Sequence, residues 1–263
     1  MKIMLDAGHG YSTAGKRSPD GIREYEFTRM VAAYAKDILE TYQNVTVYLA
    51  HSDARDVPLQ ERTDDANRLM VDAYVSIHGN AYGTTWNDAN GIETYVYLTK
   101  PKEAYELALK IQQHLVVMTG LRDRGVKTAD FHVLRETHMT AALSECGFYT
   151  NKDEAARMKT EAFQRTCAQA IVQGIADQYH LVKKSVPTPG GQAFFKVQVG
   201  AFSERKNADD LVASLKSKGF NSFIYSENSQ FKVQAGAFAE RKNAKDLAAR
   251  LKANGFNAYI HLD

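Results

Sequence analysis

Short apolar runs alternate with stretches of helical periodicity through roughly the first two thirds of the chain. Runs of strand length fall at Lys2–Asp6, Val45–Ala50, Ala73–His78, Gly91–Tyr97, Phe131–Arg135 and Ala141–Cys146. Between them, apolar positions recur at the 3.6-residue spacing that places side chains on one helix face. Glu24–Thr41 carries Phe27, Met30, Val31, Tyr34 and Ile38 in such a stripe, and further helices are predicted over Pro58–Met70, Lys102–Met118, Asp153–Lys159 and Glu161–Tyr179. Strands alternating with helices predict an α/β layer fold. Pro58 suits a first helical turn, and Asn151 with Glu154 three residues later reads as a capping pair.

The pattern stops between about Val182 and Gln192, where two prolines and two glycines collect. Residues 182–193 are therefore predicted to be a linker between one domain at 1–181 and another at 194–263. The second domain is an internal repeat: FKVQVGAFSERKNADDLVASLKSKGFNSFIY over 195–225 returns as FKVQAGAFAERKNAKDLAARLKANGFNAYIH over 231–261. Each copy reads as strand, helix, strand, with Leu211 and Leu215 on the inner helix face of the first and a helix-ending Gly219. One copy is too small to bury both faces of its elements. The two are expected to share a four-stranded sheet with both helices on one side, a small α+β ferredoxin-like domain.

Composition narrows the function classes. No apolar run approaches the ~20 residues of a membrane helix, and Met1 leads straight into a strand with no secretory stretch. Membrane insertion is not expected; synthesis in the cytoplasm without a signal peptide is. Cys146 and Cys167 fall in a buried-type strand and a helix, and are read as free thiols. The net charge of +2 argues against a polyanion-binding chain. The repeat is the basic part, with 11 Lys+Arg against 7 Asp+Glu from Phe195 to Asp263. That is modest for a nucleic-acid module, and no RNA-binding run of aromatic and basic residues appears.

Candidate chemistry lies at element ends. His9 follows the first strand in LDAGHG, Glu24 opens the first long helix, His78 ends the third strand in SIHGN, and Glu145 ends an apolar strand where an unpartnered charge would be costly. Each has a bland reading as a loop histidine, a helix-dipole carboxylate or a salt-bridge partner. Together, two imidazoles and a carboxylate form the ligand set of a catalytic zinc site, with a further glutamate as general base. The chemistry alone leaves open which glutamate takes which role. Asp6 could orient a ligand histidine or stabilise a turn, and Arg62 reads as a buried ion-pair or capping group. His132, Glu136 and His138 form a second, less telling cluster, in which His132 is a candidate for the substrate cleft.

From Met1 to Tyr179 the chain resembles the zinc amidases of the N-acetylmuramoyl-L-alanine amidase type 3 group. The marks are LDAGHG, GIRE, DVPLQERTDDAN, AYVSIHGNA, GIETYVY, LRDRGVKTADFHVLRET and ALSECGFYTNKDEAARM. Ala7 stands where the family usually has proline and Cys146 where it has an aliphatic residue. The resemblance implies a mixed sheet flanked by helices, Zn²⁺ held by His9, Glu24 and His78, and Glu145 as the catalytic carboxylate. Its substrate would be peptidoglycan, cut between N-acetylmuramic acid and L-alanine of the stem peptide; a non-catalytic wall-binding scaffold is the alternative. Asn80 and His132 are expected to touch substrate. The repeat resembles a SPOR domain through its paired FKVQ strands, RKNA turns and GFN segments. That implies binding to peptidoglycan glycan strands, with Gln198, Gln234, Phe195 and Phe231 on the exposed sheet face and Phe202, Phe220, Phe238 and Phe256 in the core. A monomer is expected.

Overall fold

The computed structural model describes residues 1–13, 15–184, 194–227 and 230–262, in two compact units, Met1–Lys184 and Ser185–Asp263. The first unit is built on six strands, β1 (Lys2–Ala7), β2 (Thr46–Leu49), β3 (Ala73–Asn80), β4 (Ile92–Val96), β5 (Asp123–Thr128) and β6 (Thr140–Phe148), in the order β2-β1-β3-β6-β4-β5. β2, β1, β3 and β6 run parallel, and β4 turns antiparallel against β6. The sheet is therefore mixed.

Strand pleating sorts side chains between two layers. Ile3, Leu5, Val75, Ile77 and Ala142 face a core closed by α1 (Glu24–Leu39), α3 (Lys102–Thr119) and α6 (Glu161–Tyr179). Met4, Tyr74, Ala141 and Leu143 face the other way, against α2 (Leu59–Leu69) and α4 (His132–Arg135). α5 (Lys152–Met158) packs on β6. Its cap is Asn151, whose side chain accepts from Asp153 N and Glu154 N, both at 3.1 Å. Glu154 does not return that bond. Its carboxylate instead clasps Gly91 N at 2.8 Å and Phe148 N at 2.7 Å.

Two expectations are corrected. Phe131–Arg135 is not a strand: Leu134 N and Arg135 N both bond Phe131 O at 3.0 Å, and adjacent Val133 and Leu134 are both buried in one core, as a helical turn allows and a two-faced strand does not. The sheet edge is instead β5, in which Val126 is the only large apolar residue, so its sequence carries no alternation. At the predicted linker, residues 182–184 stay with the first unit, through Gln43 N to Val182 O at 2.8 Å and Lys184 N to Thr41 O at 2.7 Å. The linker residues 185–193 lie outside the described residues. Cys146 and Cys167 are free and buried.

The second unit contains β7 (Phe195–Phe202), α7 (Arg205–Ser217), β8 (Phe223–Glu227), β9 (Gln230–Phe238), α8 (Arg241–Ala253) and β10 (Tyr259–Leu262). Its antiparallel order β10-β7-β9-β8 is the ferredoxin-like arrangement expected of the two repeats. Val197, Val233, Leu215 and Leu251 form the core beneath the helices, with Phe220 buried and Phe202, Phe238 and Phe256 packed against it. Phe195 and Phe231 also pack against this core rather than standing free. On the outer face, register aligns Tyr259, Gln198, Gln234 and Phe223 in one row. Tyr259 and Phe223 are exposed, whereas Gln234 is buried between its neighbours, contrary to the exposed position expected for it.

Gly174 on α6 lies where α3 crosses closest, and a Cβ there would come within 2.7 Å of Ile111 Cα and N. Gly174→Ala, which gains roughly 1 kcal/mol in an open helix, should here destabilise the fold by about 1–3 kcal/mol. Urea denaturation of the two proteins measures it.

Candidate metal centre and active site

The carboxyl ends of β1, β3 and β6 meet at one edge of the sheet. Val75 and Ile77 fill the inner core, so the pleat turns Ser76 and His78 toward α2; Asp6 and Glu145 follow the same parity in their strands. Register then sets Asp6 beside Ser76, His78 beside Glu145, and Glu145 beside Glu93 of β4. From above, α1 begins with Glu24, only 1% exposed.

Glu24 sits between the histidines. Its Oε1 lies 2.9 Å from His78 Nδ1 and accepts from Gly79 N at 3.2 Å, while Oε2 lies 3.3 Å from His9 Nε2 and accepts from Lys16 N at 2.7 Å. Among the described residues, His9, Glu24 and His78 are the one His/Cys/Asp/Glu group whose ligand atoms converge, all within 4.8 Å of one another. Zinc bonds of ~2.0–2.1 Å in a tetrahedron separate ligand atoms by roughly 3.4 Å, so this donor set and its spacing fit the ion. The approach needs Gly8, where a Cβ would lie 2.5 Å from the His78 ring. Burial disfavours the imidazolium of His78, but the Glu24 hydrogen bond and charge override it and lift the group to about 9. Burial dominates at His9, which falls below the ordinary histidine value despite Glu24. Burial also opposes the Glu24 carboxylate, yet the two histidines hold it below its usual range.

A buried ion pair underlies the site. Arg62, reaching in from α2, donates from Nη1 to Asp6 Oδ1 at 2.7 Å and Ala7 O at 2.6 Å, from Nε to Val57 O at 2.9 Å, and from Nη2 to His9 O. His9 has φ of 68°, a left-handed conformation that L side chains rarely adopt, and its carbonyl is pinned there by the guanidinium. Asp6 Oδ2 accepts from Ser76 Oγ at 2.7 Å, and Ser76 Oγ lies 3.1 Å from His78 Nε2. Burial works against the Asp6 carboxylate, but Arg62 and Ser76 hold its pKa below the ordinary value. The ring nitrogen of His78 facing away from Glu24 thus ends in a serine–aspartate relay.

Glu145 is 9% exposed, and its Oε2 has no hydrogen-bond partner among the described residues. Burial raises its pKa to about 8; the His78 charge opposes the rise, and Glu24 and Glu93 add to it. Such a carboxyl can carry a proton near neutrality. Beside it, Glu93 accepts from Asn80 Nδ2 at 2.6 Å, Tyr95 OH at 2.7 Å and Arg124 Nε at 2.7 Å, and pairs with Lys127.

Of the residues singled out in the sequence, His9, Glu24 and His78 come together and Glu145 adjoins them. Asn80 and His132 line the same cavity as Glu145, with His132 Nε2 3.4 Å from Thr63 Oγ1. The second cluster does not converge: Glu136 pairs with Arg135, and His138 lines a groove with Met1 and Thr140. Gln198 and Gln234 belong to the other unit. Ser76 and Glu93 were not singled out, although polar residues at inward positions of apolar strands are the signal that marks them.

The profile of the N-acetylmuramoyl-L-alanine amidase family matches residues 3–177, and that of the SPOR domain matches residues 191–261. N-acetylmuramoyl-L-alanine amidase CwlM of Bacillus licheniformis is 37% identical over 232 residues, covering 87% of this chain and 86% of that protein. The sporulation-specific N-acetylmuramoyl-L-alanine amidase of Bacillus subtilis is 36% identical, covering 85% and 84%. Among solved structures, N-acetylmuramoyl-L-alanine amidase from Clostridium difficile superposes with a TM-score of 0.65 at 32% identity, over 68% of this chain and 96% of that one. With the profile spanning more than half of the sequence, and relatives above 30% identity along most of its length, the chain belongs to the N-acetylmuramoyl-L-alanine amidase family and carries a SPOR domain.

Proposed function

We propose that this cell-wall amidase cleaves the amide between N-acetylmuramic acid and L-alanine with zinc held by His9, Glu24 and His78, and with Glu145 as the catalytic carboxylate. The observation that carries the reading is the His9–Glu24–His78 triangle set one strand position from a buried carboxyl with a free oxygen. When bound, Zn²⁺ supplies a Lewis acid that polarises a carbonyl and brings the pKa of water toward about 7.

The chain's own residues supply the rest. Ser76 and Asp6 fix the tautomer and tilt of His78, and Arg62 fixes the backbone of His9. In its ionised form Glu145 takes a proton from the attacking water and, now protonated, delivers it to the alanine nitrogen as the carbon–nitrogen bond breaks. The water oxygen ends in the carboxyl group of the muramyl product and the nitrogen leaves as an amine. Low exposure around Glu145 strengthens these charges by excluding bulk water.

The SPOR unit is read as the wall anchor. Tyr259, Gln198, Gln234 and Phe223 form a row whose exposed aromatic ends suit sugar faces and whose half-buried Gln198 amide suits an acetamido group, with Gln234 buried beside it. The endolysin of Bacillus phage SPP1 is 35% identical over 196 residues, and the sporulation-specific amidase of B. subtilis is similar at comparable identity. An endolysin and a sporulation-specific amidase among the relatives support action on the wall after release during lysis. No helix among the described residues is long and apolar enough to cross a membrane.

Glu145→Gln should lower turnover by about 10²–10⁴-fold, the usual scale of acid–base catalysis, while zinc stoichiometry by atomic absorption stays at the wild-type value. Unchanged turnover would remove Glu145 from the reaction. Chelation should abolish release of alanine amino termini from purified wall and added zinc should restore it; His78→Ala should lose both zinc and restoration. Tyr259→Ala with Phe223→Ala should weaken sedimentation with stem-peptide-free glycan at least several-fold, leaving hydrolysis of soluble muropeptides intact.

A further inference from the structure

Two cavities share the His9–His78 pair. One, of about 360 Å³, is lined by Glu145, Asn80, Tyr95, Phe131, His132 and Lys16. The other, of about 320 Å³, is lined by Thr13, Asp56, Val57, Pro58 and the buried Arg62, and Glu145 does not reach it. Leu59, 52% exposed, forms the ridge common to both. We propose that the Glu145 cavity takes the peptide half of the substrate, with Phe131 and Tyr95 as its wall and Lys16 as the partner of a stem-peptide carboxylate, and that the lactyl–glycan half occupies the opposite cavity. The assignment rests on the reading of Glu145 given above.

Two constraints fix the direction. The first is proton delivery. The atom that must receive a proton as the amide breaks is the alanine nitrogen, so the amine side of the bond has to lie within reach of Glu145. The acyl side then continues away from Glu145, past the histidines. The second is charge. The only carboxyl group of muramic acid is consumed in the scissile amide, so the glycan half is neutral and every free carboxylate of the substrate belongs to the peptide half. The Lys16 ammonium makes no ion pair among the described residues and is exposed at the Glu145 cavity. In the opposite cavity the ionised Asp56 would repel a peptide carboxylate but accepts from hydroxyl donors, as it already does from Thr13 Oγ1. Charge and proton delivery therefore point the same way.

The wall of the peptide cavity is rigid. Phe131 meets Tyr95 edge-on with ring centroids 5.2 Å apart, and Tyr95 OH is tied to Glu93 at 2.7 Å. Glu93 is in turn held by Arg124 at 2.7 Å. Phe131 remains 39% exposed, an apolar side chain kept open on a fixed backing. A preformed apolar wall with the Lys16 ammonium at its rim suits an acidic peptide in extended form.

The test is titration calorimetry of the zinc-loaded full chain with the free stem tetrapeptide, L-Ala-D-Glu-linked, which is a product and is not turned over. Wild type should bind it; Lys16→Gln and Phe131→Ala should each weaken binding about tenfold, and Asp56→Asn should not weaken it. With the second-residue carboxylate amidated, Lys16→Gln should lose its effect while Phe131→Ala keeps it. Equal binding by wild type and Lys16→Gln and Phe131→Ala, or a loss confined to Asp56→Asn, overturns the assignment, as does absence of binding to wild type. Release of alanine termini by wild type, measured alongside, reports separately on the amidase chemistry: turnover without these peptide effects sinks only the orientation.

Discussion

The Arg62–Asp6 pair is the constraint on which the active edge depends. Both groups are almost fully buried, so each would be costly alone, and removal of either leaves an uncompensated charge at a cost of about 3–5 kcal/mol. The pair spends its remaining hydrogen-bonding capacity on the two histidines. The guanidinium holds the turn in which His9 takes a left-handed backbone, and the carboxylate reaches His78 through Ser76. One ion pair thus sets the positions of both histidines, His9 in the loop after β1 and His78 in β3, which is how a loop residue acquires the precision of a strand residue.

Above that brace, the sheet does the rest by parity and register. A strand that buries Val75 and Ile77 on one face must turn Ser76 and His78 to the other, and parallel pairing puts Glu145 level with His78. Nothing further is needed to bring the buried Glu145 carboxyl beside the His9–Glu24–His78 group. The same register places Glu93 on the far side of Glu145, where Arg124 and Lys127 neutralise it. Without those cations a second naked carboxylate would face Glu145 across one strand spacing.

Much of this was legible in the sequence, and the reasons for the rest are specific. The strand that failed to declare itself is an edge: β5 buries little, so it needs no alternation, and the apolar run Phe131–Arg135 that mimicked a strand is a helical turn burying two consecutive residues. His9, His78 and Glu145 could be named as candidates because polar residues at the ends of apolar strands are few, and Glu24 because it opens the first long helix. The roles proposed for them came from resemblance to a family, not from spacing. Arg62 was marked as a buried pair, but its hold on His9 was invisible, since it depends on a crossing of α2 over β1 from 53 residues away. Lys16 lies in a loop with no periodicity to give it a direction. In the repeat, Phe195 and Phe231 were expected on the free face, but they pack against the core, and Phe223 and Tyr259 take the exposed places.

That row has one more property. Tyr259 and Phe223 occupy the same place in successive repeats, as do Gln198 and Gln234, and the sheet orders them as aromatic, amide, amide, aromatic. Turned by half a revolution about the β7–β9 seam, the row maps onto itself. A polymer lying along it would meet the same order of residue types whichever end led. Duplication has left this face without a built-in direction, the sequence of aromatic and amide groups being the same from either side.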